Sequence, residues 1–447
     1  MEELMEELME QLIERPMENR KKHAGIILGS YAACPPAEIS SLVDAEQPDL
    51  AQAEFQRRVR NLAGVGGLEL PFSRMGLLKN SGGLDAFEQL GFGWRLVVTF
   101  LPAQMENLEL DPHFGLASER LESRMKACAE VHRLFDELQT LLKLRPDIEL
   151  IGISLPTGPR VHGHGASCVN GGVTSGVTSG VTNHVTNHVT SGERKIVSPS
   201  SSKAALRHSM RELQGCLYFE KINFEHCDSK RGASPVAKGF LELEDEIEIA
   251  KEFGLGLVVN WGRSAIEGRS AATPLTHLQK ILTASAENKE PVSLHQNPLL
   301  RGLIFSGAAS QHPIYGDWLD THAPLREALD VDDIHESGYD DTHGDSLDDE
   351  RALIPNSDHF QSGEKRSRLL LTLNEARACW KLVNGAAEMK GETSGTESRR
   401  QSGSGDTFKP FVGLKVQPLP RSLDVESRVK FLERHLEKLT AALLDIL

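Results

Sequence analysis

The 447-residue chain has little of what marks a secreted, membrane-spanning or nucleic-acid-binding protein. Its six cysteines (Cys34, Cys128, Cys168, Cys216, Cys227, Cys379) are scattered and contain no C-x-x-C pair, which argues against a disulfide framework or a zinc knuckle and fits a reducing compartment. No apolar run approaches the ~20 residues that cross a bilayer. The start, MEELMEELMEQLIERP, has neither a basic n-region nor a continuous apolar stretch, so it resembles neither a secretory signal nor a transit peptide, and the expected localisation is cytoplasmic. A basic surplus is missing too. The net charge of −15 argues against nucleic acid or anionic membrane as partners, leaving a small-molecule substrate, and the oligomeric state is not legible. The strings G-x-x-x-x-G-K-[ST], H-E-x-x-H and G-x-S-x-G are absent, and GVGG at 64–67 lacks the rest of a dinucleotide fingerprint.

What is present is rhythm. Eight short apolar or β-branched runs recur, at 25–33, 64–72, 95–102, 148–156, 221–228, 255–261, 300–309 and 411–418, each followed by a polar stretch. Helical periodicity lies between most of them, at 54–63, 119–143 and 242–253, and the chain closes with a docked-helix pattern at 425–447. Eight strand–helix units running one way are what an α/β fold of the (β/α)8 TIM-barrel type requires, with a doubly wound open sheet as the rival. Three segments break the rhythm and are read as low-complexity, disordered insertions, at 161–205, 328–367 and 391–406, and residues 1–20 form an acidic helical arm. Residues 21–447 then make one barrel. His162, His164, His184 and His188 flank or occupy the first insertion, which offers no fixed scaffold for a metal.

Chemistry in such a barrel sits at the C-terminal ends of the strands, and strand alternation decides which residues face the axis. In KINFEHCD, Ile222 and Phe224 face outward, so Asn223 and Glu225 face inward. The same parity turns Glu69, Asn260, Ser306, Lys415 and Gln417 inward. Five strands thus send polar groups to one end of an apolar barrel, where unpaired charge is costly. Glu69, Glu225 and Lys415 are the candidate catalytic residues. An internal ion pair between Glu225 and Lys415 that merely braces the barrel stays equally open. Candidate substrate-binding residues are Asn260, Ser306, His226, Asp228, and the two arginines of GRSAIEGRSAA, Arg263 and Arg269. That stretch reads as the βα loop after strand six, with Thr273 as N-cap and Pro274 opening the next helix. Arginines there could clamp a carboxylate or phosphate, or be neutralised by Glu267. His226 should point to the helix layer, and Asp228 is open between capping and catalysis.

The strings GVGGLELPF, EHCD, KGFLEL, NWGRSAIEGRS and RGLIFSGAA resemble the family known as domain of unknown function 4862. The resemblance implies a barrel distantly similar to the xylose-isomerase-like sugar isomerases and epimerases. Those enzymes hold a divalent metal on strands five to eight. Here Glu225 would be the strand-five ligand, but Asn260, Ser306 and Lys415 occupy the others and an ammonium repels a cation, so no cofactor is expected and a divalent metal is disfavoured. The resemblance also implies Glu-x-His at the end of strand four, where this chain has Ser154 and Pro156.

Three functions remain. One is an isomerase, epimerase or lyase acting on a sugar, sugar acid or polyol by proton abstraction, with Glu225 or Glu69 as base and Lys415 steadying the oxyanion. The second makes Lys415 a Schiff-base nucleophile in an aldolase-like reaction. The third is a barrel that binds a ligand without turning it over.

Overall fold

The computed structural model describes residues 25–36, 49–78, 85–159, 199–229, 238, 240–287, 298–329, 368–392, 409–419 and 423–444. Eight parallel strands close into a barrel in sequence order. They are β1 (Ile26–Leu28), β2 (Val65–Pro71), β3 (Arg95–Thr99), β4 (Glu149–Leu155), β5 (Ile222–His226), β6 (Gly256–Asn260), β7 (Leu300–Phe305) and β8 (Phe411–Leu414). The last strand pairs with the first through Ile27↔Gly413 and Leu28↔Leu414, which closes the sheet and leaves no free edge.

Helices cover the outside, namely α1 (Leu50–Val59), α2 (Ala86–Gln89), α3 (Leu101–Leu110), α4 (Leu121–Leu144), α5 (Pro199–Leu213), α6 (Leu243–Phe253), α7 (Trp261–Gly268), α8 (Thr273–Ala286), α9 (Leu373–Glu392) and α10 (Val425–Leu444). Helix α1 begins four residues before the periodic stretch at 54–63 because Asp49 caps it, its side chain accepting from Gln52 N at 3.0 Å. Helix α10 buries Val429, Leu432, Leu436, Leu439 and Leu443, the spacing of a single apolar face.

Two apolar layers follow from strand alternation. Outward residues such as Leu68, Leu70, Phe224, Leu257, Val259, Leu303 and Leu414 pack with helix residues including Phe55, Leu138, Ile281, Trp380 and Leu436. Inward residues Ile27, Val97, Val258, Ile304 and Phe411, with Ile151 against them, form a separate plug on the axis. Gly302 makes room for it, since a β-carbon there would lie 2.3 Å from the Phe411 ring. Each fully buried aliphatic side chain contributes roughly 1.5–3 kcal/mol, so this plug is a solid floor for whatever lies above it.

Several expectations need correcting. The stretch GRSAIEGRSAA is not a loop, because Arg263 sits inside α7 and Arg269 ends it in a left-handed conformation, φ 51°. Helix α8 starts at Thr273 itself, with Ala272 in the cap position. Insertion boundaries shift as well. Residues 199–205 belong to α5, Ala328 is buried in a short 3-10 turn (Arg326–Ala328), and α9 runs to Glu392. The acidic arm at 1–20 and the remainder of the three insertions lie outside the described residues. Among the described residues, no helix is long and apolar enough to cross a membrane.

Candidate active site at the barrel mouth

Above the plug, the C-terminal strand ends carry a polar layer. Glu69 comes from β2, Thr99 from β3, Ser154 from β4, Glu225 from β5 and Asn260 from β6, with Ser306 and Lys415 just past β7 and β8, and all are buried. Strand β1 contributes only Gly29 at this level. A β-carbon there would come within 3.1 Å of the Lys415 side chain and 3.2 Å of Glu69 Oε2, so the bare position is what admits those two groups. Two residues further on, Tyr31 returns to the axis from the turn after β1.

The layer divides into two halves. In one, Lys415 Nζ donates to Glu69 Oε1 at 2.7 Å, Tyr31 Oη donates to the same oxygen at 3.3 Å, and the ammonium lies 5.0 Å from the Tyr31 ring centre. In the other, Glu225 Oε1 accepts from Arg263 and from Asn260 Nδ2 at 3.2 Å, while Thr99 Oγ1 lies 3.5 Å from Oε2. Arg263 is held twice, since its Nε also donates to Asp320 Oδ2 at 3.0 Å. Asn260 does double duty, its Oδ1 capping α7 by accepting from Arg263 N at 3.3 Å.

These surroundings push the two carboxyls apart. Burial raises the Glu69 carboxyl above its ordinary value of 4.5, outweighing the Lys415 charge. Burial works the same way on Glu225, but the charges of Arg263 and Lys415 and the Asn260 hydrogen bond overcome it and hold the acid below 4.5. Burial also opposes the Lys415 ammonium, yet Glu69 and Tyr31 outweigh it and raise that group, so the lysine stays protonated. Asp320 is held well below its usual range, the charges of Arg263 and Lys238 overcoming burial.

The segment after β7 lies across this mouth. It returns to the barrel through an antiparallel bridge between Gly307 and Ala323, and His322 O accepts from Gln417 N at 2.8 Å. Ser306 Oγ meets His322 Nδ1 at 2.9 Å, and burial pulls that imidazole down to about 3. Under the cover, Ser154 Oγ and Gln417 Oε1 are buried without a hydrogen-bond partner in the protein.

Of the remaining candidates, Asp228 joins the mouth network through Lys238, which also pairs with Asp320 at 2.5 Å, while His226 turns away from it. Arg269 lies against the segment that covers the mouth, its guanidinium 5.5 Å from the Trp318 ring centre. Asp228 is buried beside Lys238, 3.8 Å away, and burial pushes it up to about 6. His226 faces the helix layer between two carboxylates, with Nδ1 at 2.7 Å from Glu246 Oε2 and Nε2 at 2.6 Å from Glu267 Oε2. Burial disfavours its imidazolium, but the two glutamates raise it to about 10. Glu267 is therefore committed to His226 and to Ser229 at 2.9 Å rather than to either arginine.

A divalent ion of the kind the resemblance implies does not fit the mouth. Each inward carboxylate already has a fixed cation, Lys415 on Glu69 and Arg263 on Glu225, and both cations are buried with it. No step below passes through such an ion.

Fold and site together define a (β/α)8 barrel protein whose strand ends converge on two buried ion pairs. A profile described as Domain of unknown function (DUF4862) matches residues 27–171 and 174–343, and the chain belongs to that family. An uncharacterized protein of Salmonella typhimurium (strain LT2) is 25% identical over 305 residues, covering 68% of this chain and 80% of that protein.

Proposed function

We propose that the barrel is an enzyme of the isomerase, epimerase or lyase kind, moving a proton on a sugar, sugar acid or similar polyol. The observation that carries this reading is the Glu69–Lys415 pair with Tyr31 at 2.7 and 3.3 Å, buried where the strand ends converge. A carboxyl raised above its ordinary range is a stronger base when ionised than a free one, and Glu69 is that carboxyl. It takes the proton from the carbon next to a carbonyl. The Lys415 ammonium, with Tyr31 beside it, then donates to the oxygen on which negative charge develops. In an isomerase or epimerase the proton returns to carbon, and in a lyase it leaves with the neighbouring hydroxyl as water.

Glu225 serves differently in this reading. Held ionised by Arg263, it fixes the guanidinium rather than abstracting a proton. Ser154 and Gln417, buried and unpartnered within the protein, suit the hydroxyls of a polyol. Because the mouth residues are buried, entry requires the segment after β7 to move aside. A Schiff-base route needs Lys415 as a free amine, and its pairing with Glu69 weighs against that.

The test is solvent exchange. Ketoses, aldoses and sugar acids that raise the melting temperature are incubated with the protein in deuterated water, and loss of the proton next to the carbonyl is followed by NMR. Exchange is expected for at least one compound, falling by roughly 10²–10⁴ in Glu69→Gln, whose circular dichroism should stay native. Exchange in Glu69→Gln at the wild-type rate, or none with any compound that binds, overturns the reading.

A further inference from the structure

On the far side of β5 from the mouth, a second cluster brings together groups of a different kind. His226 at the end of β5, Glu267 on α7 and His277 on α8 each offer one ligand atom, all within 4.8 Å of one another. We propose that these three residues form a zinc site whose fourth position opens to the surface.

The donor set is the first support. Two imidazoles and one carboxylate match the ligands of open, three-residue zinc centres, whereas calcium and magnesium select oxygen-only cages. The supporting groups are the second. A histidine ligand normally has its other nitrogen engaged, which fixes the ring and sharpens the donor. Here Glu246 Oε2 holds His226 Nδ1 at 2.7 Å and Ser264 Oγ holds His277 Nδ1 at 3.0 Å, which leaves for an ion the Nε2 of His277 and the Nε2 of His226 that now meets Glu267. Ser229 Oγ donates to the second Glu267 oxygen at 2.9 Å, and Thr157 Oγ1 to Glu246 Oε1 at 2.6 Å, so the outer groups are themselves anchored. The rings of His226 and His277 meet edge to face, 5.0 Å between centres.

Charge balance is the third support. Two carboxylates flank His226, so even with both ring nitrogens protonated the group stays one charge short, while a divalent ion with a neutral ring closes the balance. Access is the fourth. A surface cavity of about 400 Å³ is lined by Glu267, Thr273, Thr276, His277 and Lys280, which gives two of the three groups access to solvent. Metal–ligand bonds of ~2.0–2.2 Å put neighbouring donors about 3.3 Å apart. His226 Nε2 and Glu267 Oε2, now 2.6 Å apart, must therefore separate by a fraction of an ångström as the ion replaces their shared proton.

The experiment uses the full chain, stripped with chelator and dialysed against zinc chloride, with bound metal counted by mass spectrometry. The wild type is expected to hold one zinc with imidazole nitrogen and oxygen neighbours in its X-ray absorption spectrum. His277→Gln and Glu267→Gln should weaken that ion about a hundredfold or more, beyond the loss typical of outer-shell groups. His277→Gln leaves the Glu246–His226–Glu267 chain intact, so its circular dichroism should match the wild type. The absorption spectrum reads the ligands without any substitution. Undiminished binding by both variants would place the ion elsewhere, for example on the histidines at 162–188, and overturn the proposal. So would a wild type that binds none, or a spectrum lacking imidazole.

Discussion

Glu69 and Glu225 are the same residue type, both buried, both facing the axis and both paired with a cation. Their carboxyls nevertheless move in opposite directions from 4.5, Glu69 up and Glu225 down. Partner number explains the difference. Glu225 is met by Arg263, Asn260 and Thr99, with Arg263 locked by Asp320, whereas Glu69 has one ammonium and one phenol to offset the same burial. A buried ion pair is thus no single kind of object. The better-solvated carboxylate anchors, and the less-solvated one is left with reactivity to spend.

The comparison breaks most severely at Arg263. Arg263→Met strands the buried Glu225 carboxylate and leaves Asp320 to Lys238, and should lower the unfolding free energy by about 3–5 kcal/mol in urea titrations. A loss below ~1 kcal/mol would show that the pair is not holding this half together. Lys415→Met should cost less, about 1–3 kcal/mol, because Glu69 can escape by taking up a proton. The acid limb of the exchange activity should lie above 4.5 in the wild type, since only the ionised Glu69 is a base. In any residual activity of Lys415→Met that limb should move higher still, as the group that lowers Glu69 is gone. A limb that stays put would disconnect Glu69 from the chemistry.

Stability against pH sharpens the contrast further. The Glu69 carboxyl is raised on folding, so its contribution is complete below its unfolded value of 4.5 and is lost as pH rises through the folded one. Glu225 is lowered, so its contribution is present above 4.5 and is lost as pH falls through the folded value. Wild type minus Glu69→Gln should therefore shrink on the alkaline side, and wild type minus Glu225→Gln on the acid side. Equal slopes would refute the opposed surroundings. The smallest effect belongs to Tyr31→Phe, which removes one hydrogen bond of 3.3 Å and should cost about 0.5–1.5 kcal/mol.

The strands were legible because each is a short apolar or β-branched run closed by a polar stretch, and all eight appear where those runs stand. Alternation placed Glu69, Glu225, Asn260 and Lys415 on one level for the same reason, since the pleat has a period of two whatever surrounds it. Which groups meet across that level was not legible. Lys415 pairs with Glu69 rather than Glu225 because barrel closure sets β8 two strands from β2, across Gly29 of β1, and three from β5. Tyr31 carried a usable sign, being in phase with Ile27 and Gly29 beyond the end of β1. Asp320 carried none, as it reaches Arg263 from 57 residues away. Helix α7 was read as a loop because eight Gly- and Ser-containing residues are too few to display a period, and what holds them helical is the Asn260 cap. The partners of His226 lie 20 and 41 residues along the chain, on two different helices.

The missing β-carbon at Gly29 brings three positions that are distant in the chain into one steric group. A methyl group at that point would lie 3.1–3.2 Å from both members of the first ion pair, so they would have to shift by a few tenths of an ångström to admit it. Across homologous chains, alanine or anything larger at position 29 should travel with a shorter residue at 415 or 69. A single aligned column would then tell which descendants still possess the assembled pair and which have given it up.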